Sequence, residues 1–135
     1  MYGMCKLVTI KNNIGKDITV ADIKVDIIHK IIDYASKCKY IDYIILFGSS
    51  VEDRCKEASD IDIAIISNTT RSKLFKSSTY DKFISDLYKI NITQEYDILQ
   101  FNSMNDIIQR KDNICSEIQR KGQTIYQRRG IKNVQ

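Results

Sequence analysis

Two short apolar runs near the middle of the chain constrain its fold more than any other feature. The first, IDYIILF at Ile41–Phe47, stops at Gly48, and the second, DIDIAII at 60–66, opens on two carboxylates. Runs of this length, rich in isoleucine and bounded by turn residues, read as buried strands. In a strand, residues i and i+2 share a face, so Asp60 and Asp62 fall on one side while Ile61, Ile63 and Ile65 pack on the other. Two ionised carboxylates side by side in an interior cost several kcal/mol unless a cation lies between them. The pair therefore reads either as an exposed strand end or as a divalent metal site.

The flanking sequence supplies mixed α and β elements. Residues 1–17 carry a weak pattern, with KLVTI as a short strand and NNIGKD as a turn. From Thr19 to Lys37 the residues Val20, Ile23, Ile27, Ile28, Ile31, Ile32 and Ala35 recur at helical spacing, which predicts a helix capped by Thr19 with Asp22 in a variant capping box. His29 falls opposite that stripe and reads as a surface residue. A second helix is expected over 72–89, with Phe83, Ile84, Leu87 and Tyr88 facing inward. EYDILQF at 95–101 reads as a third strand. One or two short helices follow, with Ser103 as a cap and Gly122 as a stop, and QTIYQ reads as a last short strand. The expected class is α/β (α+β): a small mixed β-sheet with helices packed on one side. The length fits one domain over 1–135, with a core at about 20–126.

Composition narrows the function classes. The net charge of +4, from 21 basic and 17 acidic residues, is too small by itself to argue for nucleic acid, which is not an expected partner. Cys5, Cys38, Cys55 and Cys115 form no CxxC pair and there is one His, so zinc is not expected. No run approaches the ~20 apolar residues that span a bilayer, and the first residues lack signal-peptide order. A soluble cytoplasmic protein with reduced thiols is the expectation.

The paired aspartates suit magnesium, which takes one or two carboxylates together with waters and substrate phosphates. Phosphoryl and nucleotidyl transfer need such ions to bridge phosphate oxygens, activate the attacking hydroxyl and stabilise the leaving group. A third carboxylate from a neighbouring strand would help to hold a second ion, and Asp97, between Tyr96 and Ile98, is the best candidate. Gly48 and Ser49 follow the first strand directly. The glycine admits a phosphate close to the backbone, and the serine hydroxyl can donate to a β- or γ-phosphate oxygen.

Strand, Gly-Ser, connector, strand bearing Asp-Ile-Asp, and a later strand Asp together resemble the polymerase-β-like nucleotidyltransferase superfamily. The stretch looks most like the minimal nucleotidyltransferases, often paired with HEPN-domain toxins. Gly48, Ser49, Ser59, Asp60, Ile61 and Asp62 match that pattern at its spacing, Asp97 matches its third carboxylate, and GQTIY resembles its usual ending. The specific match covers 46–66, with a looser one over about 20–126. The resemblance implies Asp60, Asp62 and Asp97 as catalytic residues and ligands of two Mg2+ ions. It implies Gly48, Ser49 and Ser59 as the nucleotide-binding motif, with Ser59 orienting the carboxylate strand by a local hydrogen bond. It further implies an NTP substrate, with ATP expected, and a hydroxyl acceptor such as a tyrosine of a HEPN-type toxin, giving an antitoxin role.

Glu52 and Asp53 stand where that pattern has Arg-Gly. Each acid beside a triphosphate would repel it by roughly 1 kcal/mol, and Arg54 and Lys56 are the expected compensation. The alternative reading is a non-catalytic module of the same fold that neutralises a partner by contact. A weaker one is RNA binding through the basic tail, where Arg120, Lys121, Arg128, Arg129 and Lys132 otherwise read as a solvated or frayed terminus. No sizeable acceptor-binding domain is expected after the core, so either a partner protein supplies that surface or the acceptor is itself large.

Overall fold

The computed structural model describes residues 5–131; Lys132 of the basic tail lies outside them. Two strands, β1 (Leu7–Lys11) and β2 (Asp17–Ala21), form an antiparallel hairpin. A four-stranded sheet follows, built from β3 (Ile41–Phe47), β4 (Ile61–Ser67), β5 (Tyr96–Phe101) and β6 (Gln123–Gln127) in the order β5-β4-β3-β6. β3 runs antiparallel to both β4 and β6, while β4 and β5 are parallel. A parallel pair needs a long crossover, and here it is supplied by α2 (Arg71–Phe75) and α3 (Ser78–Ile90). The sheet is mixed, as the strand pattern predicts, and QTIYQ is its fourth strand.

Alternation along the central strands creates two apolar faces. Ile44 and Leu46 of β3 and Ile61, Ile63 and Ile65 of β4 pack with Ile28, Ile31 and Ala35 of α1 (Val25–Ala35) and with Tyr80, Phe83 and Leu87 of α3. Ile45, Phe47, Ala64 and Ile66 point the other way, onto Ile107 of α4 (Met104–Gln109) and Cys115 and Ile118 of α5 (Asn113–Lys121). The two long helices share one face. The placing of all helices on one side is corrected by α4 and α5, which cover the opposite face. Their few apolar positions gave too short a pattern to assign a side. Burying one of these isoleucines contributes on the order of 2–3 kcal/mol, so both faces matter to stability.

The start of the first helix is also corrected. Residues 17–21 alternate between exposed and buried, and Ile18 and Val20 pair through β2 with Ile10 and Val8 of β1. Thr19 is therefore a strand residue pointing outward and caps nothing. Its register is period two, but Val20 and Ile23 happen to continue the helical stripe of α1 backwards. Ile23 is consequently exposed. The helix expected over 72–89 breaks at Lys76–Ser77, where Ser77 accepts from the Tyr80 N–H at 3.3 Å and restarts the chain as α3. Tyr80 takes the inward place expected of Tyr88, which lies exposed with its ring edge-on to Tyr96. Ser103 caps α4 by accepting from the Asp106 N–H at 3.2 Å, and Gly122 ends α5. His29 is exposed, and the four cysteines are free and buried.

Among the described residues no helix is long and apolar enough to cross a membrane.

Candidate active site

The site forms where β3 ends and β4 and β5 begin. The β4–β5 register sets Asp62 directly beside Asp97, and the β3–β4 register sets Phe47 opposite Asp62. Asp62 thus lies on the α5 face of the sheet, at the rim of the cluster formed by Phe47 and Ala64. Gly48 turns the chain with φ at +71°, a left-handed backbone that favours glycine. A Cβ at Gly48 would collide with the Asp62 carboxylate. The carboxylate therefore occupies the space that any other residue at 48 would fill, which couples the Gly-Ser turn to the acidic strand.

Asp62 is half-buried, and its pKa is pushed up to about 6, first by burial and then by the charges of Asp97, Asp60 and Glu117, with Arg54 pulling the other way. No ion pair to Asp62 exists among the described residues, so its negative charge stands uncompensated beside three others. Asp60 precedes β4 and is exposed, as is Asp97. Glu117, on α5, is an acid that the sequence pattern does not single out. It lies 55 residues after Asp62, so only the packing of α5 on this face could reveal it.

The connector after Gly48 resolves the acids that replace the Arg-Gly pair. Glu52 binds Arg54 Nη2 at 3.0 Å and Lys121 Nζ at 3.6 Å. The hydrogen bond and charge of Arg54, with help from Lys121, hold its carboxyl below the usual range. Arg54 compensates as expected, and Lys121 at the end of α5 does so in addition. Asp53 is exposed. Ser49 is half-buried, and its backbone carbonyl accepts from the Glu52 N–H at 2.9 Å, closing the turn. Ser50 is fully buried, and its hydroxyl has no hydrogen-bond partner among the described residues. Such an orphan costs on the order of 1–3 kcal/mol and sits inside the same turn.

A buried lysine holds this end of the sheet together. Lys24 is 1% exposed, and its Nζ donates to Glu57 O (2.9 Å), Ser59 O (3.0 Å) and Gln94 Oε1 (2.7 Å). Three acceptors match the three donors of an ammonium group. Burial lowers its pKa, against the opposing charges of Cys55, Glu57 and Asp60. Gln94 Nε2 donates in turn to Ser59 O and Glu95 O, and Ile61 N–H donates to Glu95 O at 3.0 Å. One clamp thereby joins the residues just before Asp60 to those just before Asp97. Ser59 Oγ accepts from the Lys56 N–H at 2.9 Å, the local bond expected of it. Neither Lys24 nor Gln94 is marked by the sequence pattern, because Lys24 sits among the isoleucines of the helical stripe.

The sequence-predicted residues Gly48, Ser49, Asp60, Asp62 and Asp97 are thus gathered at one end of the sheet, with Ser59 beneath them. Among the described residues no three His, Cys, Asp or Glu side chains are drawn in as a ready-made metal cage. Magnesium asks for less, namely one or two carboxylates with phosphates and water completing its shell. The half-buried, unpaired Asp62 beside Asp97, with the acid-neutralising groups turned to Glu52 instead, fits a divalent cation. In the basic tail Arg120, Lys121 and Arg129 are solvent-exposed as expected, while Arg128 Nε binds Asp42 at 2.8 Å and Arg129 donates to Asn13 O at 2.8 Å.

A family model described as polymerase beta, nucleotidyltransferase matches residues 29–130. That span includes β3 through β6 and Gly48, Ser49, Ser59, Asp60, Asp62, Gln94, Asp97 and Glu117, while Lys24 precedes it. No curated protein matches the chain.

Proposed function

The chain belongs to the polymerase-β nucleotidyltransferase family across residues 29–130, and from that membership we propose that it transfers a nucleoside monophosphate from an NTP, with ATP the expected donor, to a hydroxyl acceptor. The observation that carries this reading is Asp62: half-buried, seated in the space left by Gly48, beside Asp97 and without a cation of its own. Asp60, Asp62 and Asp97 would hold Mg2+, with two ions fitting the number of carboxylates. When bound, Mg2+ supplies the positive charge that offsets the triphosphate and the departing pyrophosphate.

The chain's own residues do the rest. Gly48 presents backbone to the phosphates without a side chain in the way, and the Ser49 hydroxyl donates to a phosphate oxygen. Asp97, exposed at the start of β5, takes the proton of the acceptor hydroxyl. The acceptor oxygen bonds to the α-phosphorus, the bond from that phosphorus to the bridging oxygen breaks, and pyrophosphate leaves. The Lys24–Gln94 clamp keeps the two carboxylate-bearing strand starts in register, the positioning on which such transfer depends. Glu52 is neutralised by Arg54 and Lys121, which favours an enzyme over a non-catalytic binding module of the same fold. The proposed acceptor is a tyrosine of a HEPN-type toxin, in the cytoplasm, which makes the protein an antitoxin.

Thermal unfolding with Mg2+ and ATP tests the site directly. Wild-type protein is expected to gain several degrees, consistent with about 3 kcal/mol at a hundred-fold excess over Kd, and Asp62→Ala to gain none. Equal gains in both proteins would place the nucleotide elsewhere.

A further inference from the structure

The two edges of the four-stranded sheet are treated differently. The β6 edge is closed by side-chain amides from the β1–β2 turn. Asn12 Nδ2 donates to Thr124 O at 3.0 Å, Asn13 Nδ2 donates to Gln127 O at 2.6 Å, and Asn13 Oδ1 accepts from the Gln127 N–H at 2.9 Å. The β5 edge has no such cover. Among the described residues no strand pairs with its outer side, and the one side chain bonded to its backbone, Ser67 Oγ on Phe101 O, comes from the β4 side. Ile98, Leu99 and Gln100 are half-buried where their β4 neighbours are fully buried. Proteins normally blunt such an edge, because its unpaired N–H and C=O groups invite another strand.

A groove of about 650 Å³ runs along this edge, between β5 and the segment from Arg110 to Cys115, with Arg71 across it. A recess of about 160 Å³ continues it past the end of β5 and shares Arg71, Gln100, Phe101 and Arg110. Arg71 and Arg110 are exposed, and among the described residues neither makes an ion pair. Their guanidinium groups lie 5.4 Å and 5.7 Å from the ring centres of Phe75 and Phe101. Two acids line the walls: Asp112, which accepts from the Cys115 N–H at 2.8 Å at the start of α5 and is also drawn down by the charge of Arg110, and Asp106 in the recess. Ile114 adds an exposed apolar side chain. The groove therefore offers unpaired backbone, apolar surface and two exposed guanidinium groups, Arg71 and Arg110, with no ion pair among the described residues. Asp97 stands at the other end of the same strand, about 13 Å from Phe101 at the rise of a strand.

Resting on the transferase reading, we propose that the β5 edge is the docking track for the acceptor, an acidic, extended segment of a partner protein that adds as a further strand and presents its hydroxyl at Asp97. Strand addition supplies affinity through main-chain bonds and specificity through alternate side chains. A hydroxyl-bearing residue beside Asp97 places residues two and four positions along the segment over the groove, where acids meet Arg71 and Arg110. The hydroxyl oxygen then bonds to the α-phosphorus, pyrophosphate departs and the proton passes to Asp97.

The test uses a random Glu/Tyr copolymer as the acidic, tyrosine-bearing probe and a Lys/Tyr copolymer as its charge opposite. Binding is read by titration and by amide hydrogen exchange of β5, without nucleotide. Label transfer is then read with Mg2+ and α-labelled ATP. The Glu/Tyr copolymer is expected to bind, slow exchange across Tyr96–Phe101 and accept label, while the Lys/Tyr copolymer does none of these. R71E/R110E is expected to weaken Glu/Tyr binding by about ten-fold or more and to favour Lys/Tyr instead. K39E/K76E, which removes the same charge elsewhere on the surface, is expected to leave Glu/Tyr binding unchanged. Binding and exchange protection without transfer would uphold the docking track and count against the transferase. Transfer to small hydroxyl acceptors, with no protection of β5 by either copolymer or with binding lost equally in K39E/K76E, would overturn the docking track and leave the transferase standing.

Discussion

Asp62 and Gly48 share one volume, and each predicts the behaviour of the other. Gly48→Ala forces a Cβ into the Asp62 carboxylate at a left-handed φ. It is expected to cost about 2–3 kcal/mol in chemical denaturation and to abolish nucleotide-dependent stabilisation. Asp62 itself carries a pH signature. Its folded pKa of about 6 lies above the ordinary 3.8, so the folded chain binds its proton more tightly than the unfolded one between those values. Stability therefore falls as pH rises through that window, the opposite of a salt-bridged aspartate. In chelator-treated protein, Asp62→Asn is expected to be more stable than wild type at pH 7, by about 2 kcal/mol or less after solvent screening, and equal to it near pH 4. Parallel denaturation curves at the two pH values check this, and an Asn variant no more stable at pH 7 would contradict it. The same substitution is expected to reduce transfer by roughly a thousand-fold. The gain in stability with loss of activity would mark a residue kept for chemistry.

Elements decide whether those residues meet. The clamp formed by Lys24, Ser59 O and Gln94 ties the start of α1 to the approaches of β4 and β5. Lys24→Met removes three hydrogen bonds, leaving Glu57 O and Gln94 Oε1 without that donor while Ser59 O keeps Gln94 Nε2, and is expected to cost about 3 kcal/mol. Combined with Gln94→Ala, the two losses are expected to fall short of additivity by 1 kcal/mol or more, as for groups of one network; a double-mutant cycle checks it. At the opposite edge, Asn13→Ala removes the bracket on Gln127 and is expected to cost about 1–2 kcal/mol and to promote self-association, read by sedimentation. The strands were legible in the sequence because their apolar runs end in turn residues: Ile41–Phe47 falls where expected, and β4 and β5 begin one residue later than expected. The Gly-Ser turn and the three aspartates were legible from the same pattern, since Asp62 and Asp97 are fixed by strand register and Gly48, Ser49 and Asp60 sit directly at strand ends. The β1–β2 hairpin boundary was not, because Val20 and Ile23 satisfy the strand and helix periods at once. Nor were Lys24, Gln94 and Glu117, whose roles depend on contacts 33 to 70 residues away in the chain or on α5 covering the second face of the sheet.

At the scale of the molecule, charge is arranged rather than abundant. The net charge is only +4, yet Glu52 is matched by Arg54 and Lys121 and Asp42 by Arg128, while the aspartates at the strand starts make no ion pair among the described residues. The central proposal is that those carboxylates, at one end of a mixed sheet in a chain matched by the nucleotidyltransferase family model, hold the metal for nucleotidyl transfer. Label transfer tests it most directly. The protein is incubated with Mg2+ and ATP labelled at the α-phosphate, in lysate or with a candidate hydroxyl acceptor, beside γ-labelled ATP and the Asp60→Ala and Asp62→Ala variants. The account predicts metal-dependent α-label on an acceptor, no γ-label, and loss of transfer in both variants. Transfer that survives in either variant, or γ-label on the acceptor, would contradict it.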